Sequence, residues 1–157
     1  VTLNLYTAAR GPVQSVNPDI CVIYLASQGY VTDGNGNPSG SYATPFTVFA
    51  QVQPPSGRDI DHINFFNLQG VMRTVIMYGA PLAINRVSTR GGDLLLFPQT
   101  PGAPLDNWLV TYVDETWSPD RMGWSRIIVT LQTDGRVIAL NQFGLPALNS
   151  NGSLVYT

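Results

Sequence analysis

The sequence predicts a mostly-β domain, a small antiparallel barrel or sandwich with one short α-helix and an extended C-terminal arm. Three observations carry this. The 15 glycines and 12 prolines are spread fairly evenly along 157 residues. Between them lie short runs rich in Val, Ile, Thr, Tyr and Phe, as expected of short strands joined by turns. One of these runs, Thr47–Gln53, alternates cleanly: Val48, Ala50 and Val52 share one face, and Thr47, Phe49, Gln51 and Gln53 share the other.

The elements follow in order. "LNLYTAA" (3–9) has room for one or two helical turns before Gly11-Pro12 stops them. "ICVIYLA" (20–26) reads as a strand. "GYVTDGNGNPSGSY" (29–42) reads as a strand end, an Asp-Gly/Asn-Gly tip and a return. Pro54-Pro55 ends the alternating strand. Ser56 then caps a helix over 57–66, with Asp59 where a carboxylate favours the helix N-terminus. In that helix Ile60 and Ile63 form the packed face, while Asp59 and His62 meet on the solvent side. Strands follow at "VMRTVIMYG" (71–79), a short "LAINRVS" (82–88) and "DLLLFP" (93–98). The clearest pair is "NWLVTYVDETW" (107–117) with "GWSRIIVTLQ" (123–132), joined by the turn formers of "SPDRM". "GRVIAL" (135–140) extends the meander. "NQFGLPALNSNGSLVYT" (141–157) reads as an extended arm, ordered only where something holds it. No internal repeat, heptad or low-complexity block is expected. The length suits one domain, so the chain divides into a contact segment 1–19, a β domain 20–140 and the arm 141–157.

Charge content is unusual. The chain has eight arginines, no lysine and a single glutamate, Glu115. Interfaces are depleted in Lys and Glu and tolerate Arg, whose planar fork pairs well when desolvated. A surface largely covered by partners is therefore expected. The net charge of −2 and the scattered arginines argue against a dedicated nucleic-acid binder. No apolar run is long enough for a membrane span. The first residues lack the pattern of a signal peptide, which predicts a soluble protein made in a cytosol. Cys21, the sole cysteine, sits in an apolar run and is expected to be a buried, inert thiol.

"SGRDIDHINFF" (56–66) places the one histidine, His62, beside Asp59 and Asp61, as a catalytic dyad or metal site would. With no second histidine a two-His zinc helix is excluded, and no GxSxG elbow supports a hydrolase triad. "DGNGN" (33–37) matches the first ligand positions of a calcium loop. Pro38 stands where the loop needs Gly, however, and Thr44 where it needs Glu. "STRGGD" (88–93) lacks the Lys-Ser/Thr ending of a phosphate loop. Trp108, Trp117 and Trp124 are expected to anchor the core, Trp108 sharing a strand face with Val110 and Tyr112. The rival use is an aromatic platform for a sugar. Asp114 and Glu115 are adjacent in a strand and point apart, so they cannot act as a glycosidase pair. No enzyme activity, metal or cofactor is expected.

The ordered blocks "LNLYTAARGPVQSVNPD", "AQVQPPSGRDIDHINFFNLQG", "RTVIMYG", "GGDLLLF", "WLVTYVDETW" and "GWSRIIVTLQ" resemble small structural proteins of contractile-tailed bacteriophages, described variously as collar, tail or baseplate components. The resemblance covers about residues 1–132 and carries no catalytic residue. It implies a virion protein, made in the bacterial host cytoplasm, that forms a homo-oligomeric ring around or at the end of the tail tube. That ring would be six-fold or twelve-fold and baseplate-proximal, touching tube, hub or sheath components. The alternatives are a neck or collar position and, less favoured, a carbohydrate-binding β-module. Neither membrane nor specific nucleic-acid contact is implied. The residues expected at interfaces are Arg10, Asp33, Asn35, Arg58, Asp59, Asp61, His62, Phe143, Leu148 and Tyr156.

Overall fold

Period-two alternation along β-branched runs puts one face of each strand in a core, and closing the sheet removes its edges. The computed structural model describes residues 12, 14–32, 35–64, 70–79, 81, 83, 91–117, 123–132 and 138–157, with the side chains of 62–64 outside that set. It shows β1 (Ile20–Leu25), β2 (Ser27–Thr32), β3 (Pro38–Tyr42), β4 (Phe46–Gln53), α1 (Gly57–Asn64), β5 (Met72–Tyr78), β6 (Leu94–Phe97), β7 (Asp106–Thr116) and β8 (Trp124–Gln132). Six strands close an antiparallel barrel in the order β1-β4-β5-β8-β7-β6, and β2-β3 form a separate hairpin. The expected small mostly-β barrel, with its short helix after Pro54-Pro55, is therefore what the described residues form. The expected helical turns at 3–9, the strand at 82–88 and the turn at 118–122 lie outside the described residues.

A barrel of this size is filled by its own side chains. The inward residues are Val22, Tyr24, Ala50, Val75, Met77, Leu95, Phe97, Trp108, Val110, Ile127 and Val129, all buried. Val48 and Val52 pack against them as alternation predicted. Trp108 is the anchor. Its ring stacks on Phe97 at 4.7 Å between centroids and 2° between planes. Its indole N–H donates to the Phe97 carbonyl at 2.9 Å, so burial leaves no orphan donor. The register of β7 shifts between Val110 and Tyr112 and again between Val113 and Glu115. The first shift reverses the expected phase: Val113, not Tyr112, packs on the core after Val110.

The barrel's outer surface is covered in places by the rest of the chain. Residues 141–157, expected as an arm, fold back onto it together with 138–140. Ile138, Leu145, Leu148, Leu154 and Tyr156 pack with Ile23, Leu25, Leu94 and Leu96 from the outer faces of β1 and β6. "GRVIAL" thus does not simply extend the meander, because its last residues begin this C-terminal unit.

The unit also contains a repeat that was not expected. Ala139, Ala147 and Val155 lie eight residues apart and form a closed ring of backbone bonds. Ala147 N–H donates to Ala139 O at 2.8 Å, Val155 N–H to Ala147 O at 3.0 Å, and Ala139 N–H to Val155 O at 2.9 Å. Antiparallel bridges Leu140↔Pro146, Leu148↔Leu154 and Ile138↔Tyr156 radiate from the ring as three leaves. Two leaves end in matching loops. Asn141 Oδ1 accepts from the N–H groups of Phe143 and Leu145, and Asn149 Oδ1 accepts from those of Asn151 and Ser153. Gly144 and Gly152 take the left-handed conformation, at φ 72° and 75°, that lets each loop turn back. The repeat "ALNxxG", Ala139–Gly144 and Ala147–Gly152, is hard to see because it occurs twice in full over a short span.

Candidate functional site

The "SGRDIDHINFF" stretch folds as the helix its cap predicts, but faces the other way. Ser56 Oγ accepts from Asp59 N–H at 3.3 Å, and Asp59 Oδ2 accepts from Ser56 N–H at 2.7 Å, a reciprocal cap. Asp59 is 3% exposed and Ile60 is 46% exposed, so the expected packing is inverted. The cause is the charge waiting on the barrel wall. Arg126 on β8 donates to Asp59 Oδ2 at 2.7 Å and also pairs with Asp114, while Thr74 Oγ1 contacts the same Asp59 oxygen at 3.2 Å. Burial alone would raise the Asp59 carboxyl's pKa. The Ser56 and Arg126 hydrogen bonds outweigh that and hold it below the usual carboxylate range. The same carboxylates hold the Arg126 guanidinium protonated more firmly than usual. This is a clamp on Asp59 Oδ2 that fastens α1 to β5 and β8.

Asp59 is therefore not the exposed interface residue the sequence suggested. Arg58 and Asp61 are exposed on α1, and Asn35 is exposed at the β2–β3 tip. Phe143 is 77% exposed on its loop. Leu148 and Tyr156, by contrast, spend much of their surface on the barrel. Arg10, Asp33 and the His62 side chain lie outside the described residues. Among the described residues no three His, Cys, Asp or Glu side chains gather as metal ligands. Among the described residues no helix is long and apolar enough to cross a membrane.

What the structure assembles, and single-strand patterns did not show, is a row of side chains across four strands. Cys21 is exposed rather than buried, because it lies on the outward phase of β1. It pairs with Phe49 of β4, which is 59% exposed. One step beyond the Ala50↔Met77 pair, Phe49 comes level with Tyr78 of β5, which is 38% exposed. Tyr78 pairs with Trp124 of β8. Trp124 in turn stacks on Trp117, just past the end of β7, at 5.4 Å between centroids and 17° between planes. Trp117 is 63% exposed. Trp117 is thus a surface residue and Trp124 is half-buried on the outer face, so neither is a core anchor and Trp108 alone is buried in that role. Glu115 Oε2 receives the Trp117 indole N–H at 3.3 Å and fixes the ring at the end of the row.

No protein-family model matches the chain. A search of curated proteins likewise returns no match. The function must therefore be argued from this surface and the composition. Large apolar patches on an otherwise folded surface mark places where something docks. Aromatic residues are also the types enriched at interface centres.

Proposed function

We propose that this protein is a structural subunit of a contractile-tailed phage virion. Copies of the chain would form a ring around or at the end of the tail tube, on the baseplate side, and the protein would have no catalytic role. The observation that carries the reading is the row Phe49–Tyr78–Trp124–Trp117. Among the described residues, α1 and the C-terminal unit cover other outer faces of the barrel, while Phe49, Tyr78 and Trp117 keep 38–63% of their surface exposed. A second copy is the occupant that fits, since ring interfaces join a patch on one subunit to a different patch on the next. The lysine-free composition supports a surface meant to be covered, with arginines at the contacts. The sequence resemblance supplies the phage context. Exposed Phe143, Arg58, Asp61 and Asn35 are further contact points in this reading.

Cys21 offers the test, because it sits in the row and is solvent-exposed in the single chain. Maleimide should label it in the free protein and fail to label it in assembled particles. Phe49→Asp with Trp117→Asp should keep the chain folded but monomeric by light scattering. A compact wild-type monomer at high concentration, absent from a mass-spectrometric inventory of purified virions, would sink the proposal. Imaging the particle would distinguish the baseplate from the neck.

A further inference from the structure

We propose that the aromatic row of one copy receives the C-terminal unit of the next, with Phe143 as the side chain that enters it. This names the second half of the contact in the assembly reading and rests on that reading.

The two surfaces lie on opposite sides of the barrel. Around it the six strands run β1-β4-β5-β8-β7-β6. The row Phe49–Tyr78–Trp124–Trp117 is centred on β5 and β8. The C-terminal unit lies on β1 and β6. In a closed ring of six strands these two pairs face away from each other. One patch that meets its own copy closes a pair, but two different patches on opposite sides pass the contact from copy to copy. A ring of many subunits needs that placement.

The outer side of the unit carries a patch of matching size. Leu140 is 50% exposed, Phe143 77% and Val155 36%. They are neighbours, because Ala139, next to Leu140, donates its N–H to Val155 O at 2.9 Å, and Phe143 ends the leaf that Leu140 begins. At ~200 Å² for an aromatic side chain, Phe49, Tyr78 and Trp117 leave roughly 300 Å² open, and the three residues of the unit leave a similar area. A standard interface covers about 800 Å² per partner around a smaller apolar core. Two patches of this size suit the two halves of one such core.

Charge narrows the occupant. The charged side chains beside the row are already engaged, Glu115 by the Trp117 indole and Arg126 by Asp59 and Asp114. A charged group pressed onto the row would lose its water and find no counter-charge. Residues 137–157 contain no Asp, Glu, Lys, Arg or His. Ile60 on α1 is also exposed, but it stands between exposed Arg58 and Asp61 and would carry them in with it. Two rows facing each other would be uncharged too, yet would leave Phe143 in water and stop at two copies. Phe143 is, besides, held ready. Asn141 Oδ1 accepts from its N–H at 2.9 Å, and Gly144 N–H donates to Asn141 O at 3.0 Å. A loop fixed in this way has little freedom left to lose on docking.

The test is complementation between two blocked variants of the full chain, read by sedimentation velocity. Trp117→Asp blocks the row and Phe143→Asp blocks the tip. Both positions are exposed, so each variant should keep the wild-type thermal midpoint. Wild type should assemble, whereas each variant alone should be monomeric, its association weakened at least ~30-fold, as for a central interface residue. Mixed in equal amounts, the variants should form pairs and nothing larger, because one still offers its row and the other its tip. Phe49→Asp and Leu140→Asp replace a row or tip variant that fails to fold. If Phe143→Asp assembles like wild type while Trp117→Asp is monomeric, the row docks on something other than the unit; the proposal is overturned and the assembly reading stands. A mixture that stays monomeric, or that grows beyond pairs, overturns it as well. Wild type that stays monomeric at high concentration removes the assembly reading and this proposal together.

Discussion

Replacing Arg126 with methionine should destabilise the protein by ~3 kcal/mol, and the reason can be worked from three distances. Asp59 Oδ2 accepts from Ser56 N–H at 2.7 Å, Arg126 Nη2 at 2.7 Å and Thr74 Oγ1 at 3.2 Å. Without Arg126, a carboxylate that is 3% exposed keeps only neutral donors. Stranding one member of a buried pair costs roughly 3–5 kcal/mol. Arg126 is 24% exposed, so water already screens part of the pair and the lower end applies. Asp59→Asn keeps an acceptor for the Ser56 cap and removes the charge, costing ~1–2 kcal/mol. In the double variant the stranded charge is gone, so its loss should fall short of the sum of the singles by ~1–2 kcal/mol. Urea denaturation at neutral pH with unchanged slope measures all three. Acid gives a second reading. The Asp59 pKa is lower in the fold than in the unfolded chain, so its contribution is complete above the unfolded value near ~3.9. It is lost as pH falls through the lower folded value. Wild type should therefore weaken below about pH 4 more steeply than Asp59→Asn. Additive single losses, or an Arg126→Met loss under ~0.5 kcal/mol, would refute the clamp.

Two further outcomes follow. Asn141→Ala and Asn149→Ala each remove an acceptor for two backbone N–H groups, so each should cost ~1–2 kcal/mol in denaturant titrations; a large loss at one and none at the other would break the equivalence of the two leaves. Tyr42 is pushed up to about 12 by burial and then by Tyr156, Tyr30 and Asp93, so the fold favours the neutral phenol. Roughly 2–3 kcal/mol of stability should be lost as pH rises from 10 towards 12, and Tyr42→Phe should flatten that decline, whereas a parallel decline in both proteins would refute it.

The barrel was legible in the sequence because alternation is a local property. Val48, Ala50 and Val52 point inward as spaced, and the β7–β8 pair forms where its turn residues predict. The Ser56 cap was legible for the same reason. What failed depended on contacts far along the chain. Helical spacing alone assigns Ile60 and Ile63 to the packed face; only Arg126, some 67 residues away, makes Asp59 the inward residue. An apolar run marks Cys21 as buried, but the C-terminal unit covers the outer face of β1 at Ile23 and Leu25 and leaves Cys21 exposed. Tyr112 was misplaced by a register shift that leaves no mark in strand periodicity. The cavity between the β2–β3 hairpin, β6, β7 and the C-terminal unit is lined by six separated stretches and could not be read from any one of them.

The C-terminal unit shows how these pieces fit one purpose. Its ring of three backbone bonds satisfies main-chain groups that would otherwise need a sheet, so its leucines are free to lie on the barrel. In doing so it buries Ile23, Leu25, Leu94 and Leu96, outward residues as apolar as Phe49 and Tyr78 on the open face. The two faces therefore differ in who covers them, not in chemistry. A chain that spends twenty residues to cover one apolar face has the means to cover another. Leaving the aromatic row exposed beside a fixed Trp117 is then a property of the surface that assembly would use, and truncating after Leu140 should create a second patch of the same kind. Such a truncated chain should self-associate through Leu94 and Leu96 even when Phe49→Asp and Trp117→Asp block the aromatic row. If it stays monomeric by light scattering, exposed apolar strand faces on this barrel do not drive association, and the argument from the row loses its footing.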